Sequence, residues 1–186
     1  NWKLPTFTGA PLRVNALLMK VAGDSQQYAA LPWRQAQGLE ILLITSRETR
    51  RWVIPKGWPI PEKSAAESAA QEAYEEAGIR GQMAAQALGH YSYSKRQRGG
   101  GAKKRFRVDV FAMEVSEVLD LWPEAHERAR QWVSPQEAAA RVEEPGLAAL
   151  IRVFAGDRLG QALPAPTCPQ QIWQRLKALL RLMGLR

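Results

Sequence analysis

Cysteine and histidine are nearly missing: the 186 residues include one cysteine, Cys168, and two histidines, His90 and His126. One thiol excludes an intrachain disulfide and a cysteine-rich zinc site, and two isolated histidines argue against a histidine-based metal centre. No apolar run approaches the ~18 residues that a membrane-spanning helix requires, so membrane insertion is not expected. The first residues do not form a basic head, apolar stretch and small-residue cleavage site, and with the sparse cysteine this predicts a reducing, cytoplasmic setting. At 46% hydrophobic and 24% charged the chain is near average, which excludes wholesale disorder.

Acidic residues are absent from two stretches. Segment 95–107 (KRQRGGGAKKRFR) carries seven basic residues and segment 158–186 carries five, while the remainder has 14 basic against 18 acidic. The net charge of +8 is therefore local, which points to an anionic partner at particular places.

Three regions are expected: an N-terminal extension over 1–27, one folded domain over 28–156, and a proline-rich linker with an amphipathic helix over 157–186. Strands are expected at Tyr28–Trp33, Leu39–Thr45, Arg51–Ile54, about 82–94, about 105–115 and Gln131–Val133. Helices are expected at Ser64–Ala77, from Pro135 to about Arg141, and at Gly146–Phe154. Gly99-Gly100-Gly101 reads as a hairpin tip. Mixed strands with interspersed helices predict an α+β fold, an α/β/α sandwich around a mixed sheet.

The stretch 57–79 carries the chemistry. Ser64 and Glu67 form a capping-box pattern, and Gly78 is a helix stop. At ~100° per residue Glu72, Glu75 and Glu76 share one arc, beside a small-residue arc of Ala66, Ala69, Ala70, Ala73 and Ala77. Like charges at i, i+4 repel, the last turns disfavour anions, and no lysine or arginine within the helix offsets them. A divalent cation resolves all three conflicts. Mg²⁺ takes oxygen ligands shared between carboxylates and substrate phosphates, and Mn²⁺ suits the same donors. Gly57, between strand and helix, lets the backbone approach a metal or phosphate.

At these residues the chain resembles the Nudix family, whose box reads G-x5-E-x7-R-E-U-x-E-E-x-G-U with U apolar. Gly57, Glu72, Ala73, Glu75, Glu76, Gly78 and Ile79 fall in register. The family's first glutamate falls on Lys63 and its arginine on Gln71; a Glu67–Gln71 hydrogen bond is the expected substitute. The segments 44–57, 116–124 and 128–132 resemble the diphosphoinositol polyphosphate phosphohydrolase branch, which also includes enzymes that split diadenosine polyphosphates. The likeness covers roughly residues 28–154. It implies an α/β/α sandwich and Mg²⁺-dependent hydrolysis of a phosphoanhydride in a polyanionic substrate: a diadenosine polyphosphate, a diphosphoinositol polyphosphate or another nucleoside diphosphate derivative.

On this reading Glu72, Glu75 and Glu76 are metal ligands, with the Gly57 carbonyl a fourth, and Glu124 or Glu127 joins them as a candidate base. Substrate contacts are expected from Arg34, Ser46, Arg47, Lys103, Lys104, Arg105 and Arg128, the last through the branch resemblance. Trp58 is the tryptophan expected at the cleft rim. Two alternatives stand beside hydrolysis of a small anionic molecule: a Nudix-fold module that binds a phosphorylated ligand without turnover, and removal of pyrophosphate from RNA 5′ ends. Tyr91, Tyr93 and Phe106 would be stacking platforms for single-stranded RNA. The tail helix is a candidate dimerisation element.

Overall fold

Leu39–Thr45 is apolar without alternation because both faces of its sheet are covered. The computed structural model describes residues 25–96 and 103–160. Among them are strands β1 (Ser25–Gln35), β2 (Leu39–Thr45), β3 (Trp52–Val53), β4 (Lys56–Gly57), β5 (Ile79–Met83), β6 (Gly89–Arg96), β7 (Lys103–Val118) and β8 (Arg130–Val133). The helices are α1 (Ala65–Ala77), α2 (Pro135–Arg141) and α3 (Pro145–Arg158). One sheet runs β3-β2-β1-β7-β5, with β4 also paired to β1, β6 to β7 and β8 to β2. The β1–β7 ladder is parallel and the others antiparallel, giving the mixed sheet expected.

Strand alternation sends side chains to two cores. Ala29, Leu31, Trp33, Ile41 and Leu43 pack under α2 and α3, against Ala138, Leu147, Ile151 and Phe154. Ala30, Leu42 and Ile44 pack under α1, against Ala73 and Ala77. The sheet is thus sandwiched between α1 and the α2–α3 pair.

Several boundaries differ from expectation. β1 starts three residues before Tyr28 and runs to Gln35, because its parallel ladder to β7 begins at Ser25↔Phe106. The single strand expected over 82–94 is two, β5 and β6, which pair with different stretches of β7. Helix α3 runs past Phe154 to Arg158, and Phe154 itself is buried against Trp33. Among the described residues no helix is long and apolar enough to cross a membrane. The N-terminal extension through residue 24, the triple-glycine tip, Cys168 and the tail helix with its dimerisation role lie outside the described residues.

Candidate active site

Helix α1 is built to place acids at its C-terminal half. The Ser64 side chain accepts from the Glu67 N–H (3.2 Å), and the Glu67 carboxylate accepts from the Ser64 N–H (2.7 Å). Gly78 closes the helix at φ 63°, left-handed, with its N–H on the Tyr74 carbonyl. Ala69, Ala73 and Ala77 are wholly buried, so the helix lies close on the sheet. Glu72 and Glu76, one turn apart, then face a cleft of about 980 Å³.

The three helix acids are not gathered at one point. Glu75 is absent from the cleft lining; its Oε1 accepts from Gln71 Nε2 at 2.6 Å. Gln71 in turn accepts from Lys63 Nζ at 2.8 Å. The expected Glu67–Gln71 bond does not form, because Glu67 is committed to the N-cap.

Gly57 lies in the short strand paired to Tyr28. A Cβ there would stand 1.8 Å from Glu72 Oε1, so a larger residue would displace the Glu72 carboxylate. The neighbouring Lys56 N–H donates to Glu76 Oε2 at 3.0 Å.

The segment after β7 supplies the third wall. Arg128 donates from Nε to Glu124 Oε2 (2.5 Å), from Nη1 to the Thr45 carbonyl (3.0 Å) and from Nη2 to Glu76 Oε1. Its side chain is only 5% exposed. Arg128, expected to contact substrate, lines the cleft, and its guanidinium is committed to protein acceptors that clamp Glu76 to Glu124. Arg47 reaches Glu124 (3.4 Å) and Glu127 (3.6 Å) from the end of β2. The Glu124 N–H donates to the Glu75 carbonyl, hooking this segment onto α1. Trp122 lies over Gly78, with the Arg130 guanidinium 4.1 Å above its ring.

The electrostatics follow from burial and crowding. Burial pushes the Glu72 carboxyl up to about 7, aided by Glu76, Glu75 and Glu124, while Arg128 opposes the rise. Burial also raises Glu76, outweighing Arg128 and the Lys56 N–H. Lys56 is lowered, again chiefly by burial, although Glu76 and Glu144 pull the other way.

Other expected contacts fall in three groups. Ser46 and Arg47 line the cleft, and Ser46 also shapes its turn through Thr49 (2.8 Å) and the Arg51 N–H (3.1 Å). Arg34 does not line it: at the opposite end of the β1–β2 pair it bonds Glu40 at 2.7 Å and stacks 4.2 Å over Trp132. Lys103, Lys104 and Arg105 are strand residues of β7, not loop residues. Alternation puts Lys104 with Phe106 on one face, and Lys104 Nζ lies 5.2 Å over the Trp58 ring; Lys103 and Arg105 fall on the other face. Trp58 is 51% exposed on the cleft rim, as expected. Tyr91 and Phe106 are buried, and Phe106 stacks on Tyr93 at 4.9 Å, so this row of rings packs on itself rather than offering separate base platforms.

Two cleft cations escape a reading by motif. Lys56 is flagged only by its place beside Gly57. Arg51 is drawn in by Glu143 (2.8 Å) and Glu144 (3.4 Å), some ninety residues along the chain, so no local signal marks it.

The donor chemistry fits a hard divalent cation: Glu72 lies against Gly57, crowded by Glu76, Glu75 and Glu124 with Arg128 opposing them only in part. Among the described residues no three His, Cys, Asp or Glu side chains already form a ready metal cluster. Arg128 on Glu76 and Gln71 on Glu75 occupy two of the three acids with protein donors.

A NUDIX domain model matches residues 25–154, and the chain belongs to the Nudix family. It is similar to Nudix hydrolase 13, mitochondrial, of Arabidopsis thaliana: 34% identical over 108 residues, 54% of this chain and 52% of that one. It is 31% identical over 119 residues to diphosphoinositol polyphosphate phosphohydrolase 2 of Rattus norvegicus, covering 62% of each. The chain thus spans between half and two thirds of the length of these relatives. The C. elegans Ap4A hydrolase binary complex shares the fold, with TM-score 0.56 and 21% identity over 73% of this chain and 98% of that one.

Proposed function

We propose that this chain is a Mg²⁺-dependent hydrolase of a phosphoanhydride bond in a small polyanionic substrate. The observation that carries this is the acid edge of α1, Glu72 and Glu76, facing a cleft whose other walls bring Lys56, Arg47, Arg51 and Lys95. The diphosphoinositol and Ap4A relatives support diphosphoinositol polyphosphates, diadenosine polyphosphates and other nucleoside diphosphate derivatives as the substrates to try first. The reducing, cytoplasmic setting suggested by the lone cysteine belongs to the same proposal.

Glu72, Glu76 and the Gly57 carbonyl would hold the cation, with Glu75 joining when Gln71 releases it. Bound Mg²⁺, or Mn²⁺ in its place, supplies positive charge against the phosphoryl oxygens. Lys56 and Arg47 bring further cationic charge to the phosphates. Glu124 accepts from both Arg128 and Arg47, which fixes its carboxylate in the cleft wall. Glu72 and Glu76, the helix acids that face the cleft, are the groups placed to take a proton from the attacking water.

The test is release of phosphate or mononucleotide from a panel of these substrates with and without Mg²⁺. Glu72→Gln is expected to lower turnover about 10²–10⁴-fold with the fold intact. Tight binding with no turnover of any panel member would favour the sensor reading, which the Arg128 clamp on Glu76 supports.

A further inference from the structure

The pleat of β7 divides its basic residues between two faces, since successive side chains of a strand point opposite ways. Phe106 and Val108 point inward and are buried, and Lys104 shares their face. Lys103, Arg105 and Arg107 take the other face and are exposed. On β6 the ladder sets Ser92 opposite Arg107, Ser94 opposite Arg105 and Arg96 opposite Lys103, all three exposed. The outer face of this strand pair is thus a stripe of cations interleaved with hydroxyls. The first acid along it on β7 is Asp109, which takes Arg107 at 3.1 Å. Ser92, Ser94 and Arg96 also border the cleft, so the stripe begins at its mouth.

Strand pairing alone does not favour this arrangement. Arg96 and Lys103 stand directly opposite each other, and like charges in that position destabilise an antiparallel pair. Along β7 the cations recur every ~6.8 Å. An anionic partner offsets both repulsions. The stripe runs ~14 Å from Lys103 to Arg107 and is one strand pair wide, the footprint of a single extended chain rather than of a broad surface. Among the described residues from 89 to 109 no large apolar side chain is exposed, so a lipid tail or an apolar protein face has nothing to hold. Arginine forks and serine hydroxyls are the groups that hold phosphate and sugar oxygens.

We propose that the outer face of the β6–β7 pair binds single-stranded RNA along its phosphate chain, without reading sequence. The serine hydroxyls reach the ribose 2′-OH, which DNA lacks. The rings of Tyr93 and Phe106, stacked on each other at 4.9 Å, lie on the opposite face and read no base. Binding here needs no turnover in the cleft.

The test is fluorescence anisotropy of the full chain with a short labelled single-stranded RNA of mixed sequence, in chelator, over a salt series. A Kd on the order of 10⁻⁶–10⁻⁴ M is expected at physiological salt. Lys103 and Lys104 are neighbours of equal charge on opposite faces, so K103A should weaken binding about fivefold and K104A less than about twofold. K103A/R105A/R107A should lower the slope of log affinity against log salt by about 2, while R105K/R107K keeps it. S92E/S94E should weaken binding at least about fivefold although no cation is removed, with thermal unfolding confirming the fold. Equal losses from K103A and K104A overturn the proposal, as does parental affinity in the triple variant. DNA of the same sequence held as tightly overturns the assignment to RNA. Tighter capture of phosphatidylserine vesicles through the same residues gives the face to a membrane surface instead. No RNA binding at any salt leaves the cations as guards of a sheet edge and overturns the proposal as well.

Discussion

The position a Cβ of Gly57 would occupy lies 1.8 Å from Oε1 of Glu72, so the glycine and the carboxylate fill a single space. Gly57→Ala must push Glu72 aside. Turnover is expected to fall at least about 10²-fold, as for other displacements near 1 Å in an active site. Stability should change little, because the group displaced is the mobile end of a side chain rather than backbone. Steady-state kinetics beside urea unfolding separates the two; an alanine variant with parental kcat would show that Glu72 has no fixed place in the reaction.

Glu72 makes metal-free stability depend on pH in a definite direction. Its folded carboxyl titrates near 7, above the ordinary 4.5, so the native state keeps a proton that the unfolded chain has lost. Stability is full below about 4.5 and declines as pH rises towards 7. Glu72→Gln should therefore gain on the order of 1 kcal/mol at pH 8, after allowance for partial exposure, and nothing at pH 4. Urea unfolding in chelator at the two pH values reads this; a gain of equal size at both would refute the assignment. Mg²⁺ should remove the parent's deficit at pH 8.

Arg128, its side chain 5% exposed in the cleft wall, holds both Glu76 and Glu124. Arg128→Met strands the Glu76 carboxylate, and a loss of about 3–5 kcal/mol is expected in metal-free protein. Adding Glu76→Gln should recover a substantial part of it. Thermal unfolding of the two single variants and the double reports the pair, and simple additivity would mean that the two groups do not interact.

Lys104 and its two basic neighbours should behave differently, because they lie on opposite faces of β7. Lys104→Ala is expected to raise KM about fivefold for substrates with longer phosphate chains, roughly 1 kcal/mol, and to outweigh Lys103→Ala and Arg105→Ala. Competition assays across chain lengths measure this; three equal effects would mean a diffuse field rather than contact at the Trp58 rim.

Helix α1 was legible in full, from the Ser64 cap to the Gly78 stop, because capping, spacing and helix-stop signals act within a few residues. β2 was legible because a seven-residue apolar run with turns at both ends has few other uses. The break between β5 and β6 was not, since nothing local says that two stretches pair with different parts of one long β7. Arg34 and Arg128 show the same boundary in the site. Both are arginines in plausible places, yet one stacks on Trp132 away from the cleft and the other, in the cleft wall, is taken up by Glu76, Glu124 and the Thr45 carbonyl.

Sequence by itself determined the acid-bearing helix, its caps and the glycine before it, since a helix turns i, i+3 and i+4 into neighbours without outside help. Only the tertiary structure decided which acids face the cleft. The β2–β8 pairing brings Arg128 to Glu76 across fifty-two residues, and the loop brings Lys63 to Gln71, drawing Glu75 away. Charge pairing in a buried site depends on sheet register and loop path, and these are fixed by packing of the whole domain rather than by any local run of residues.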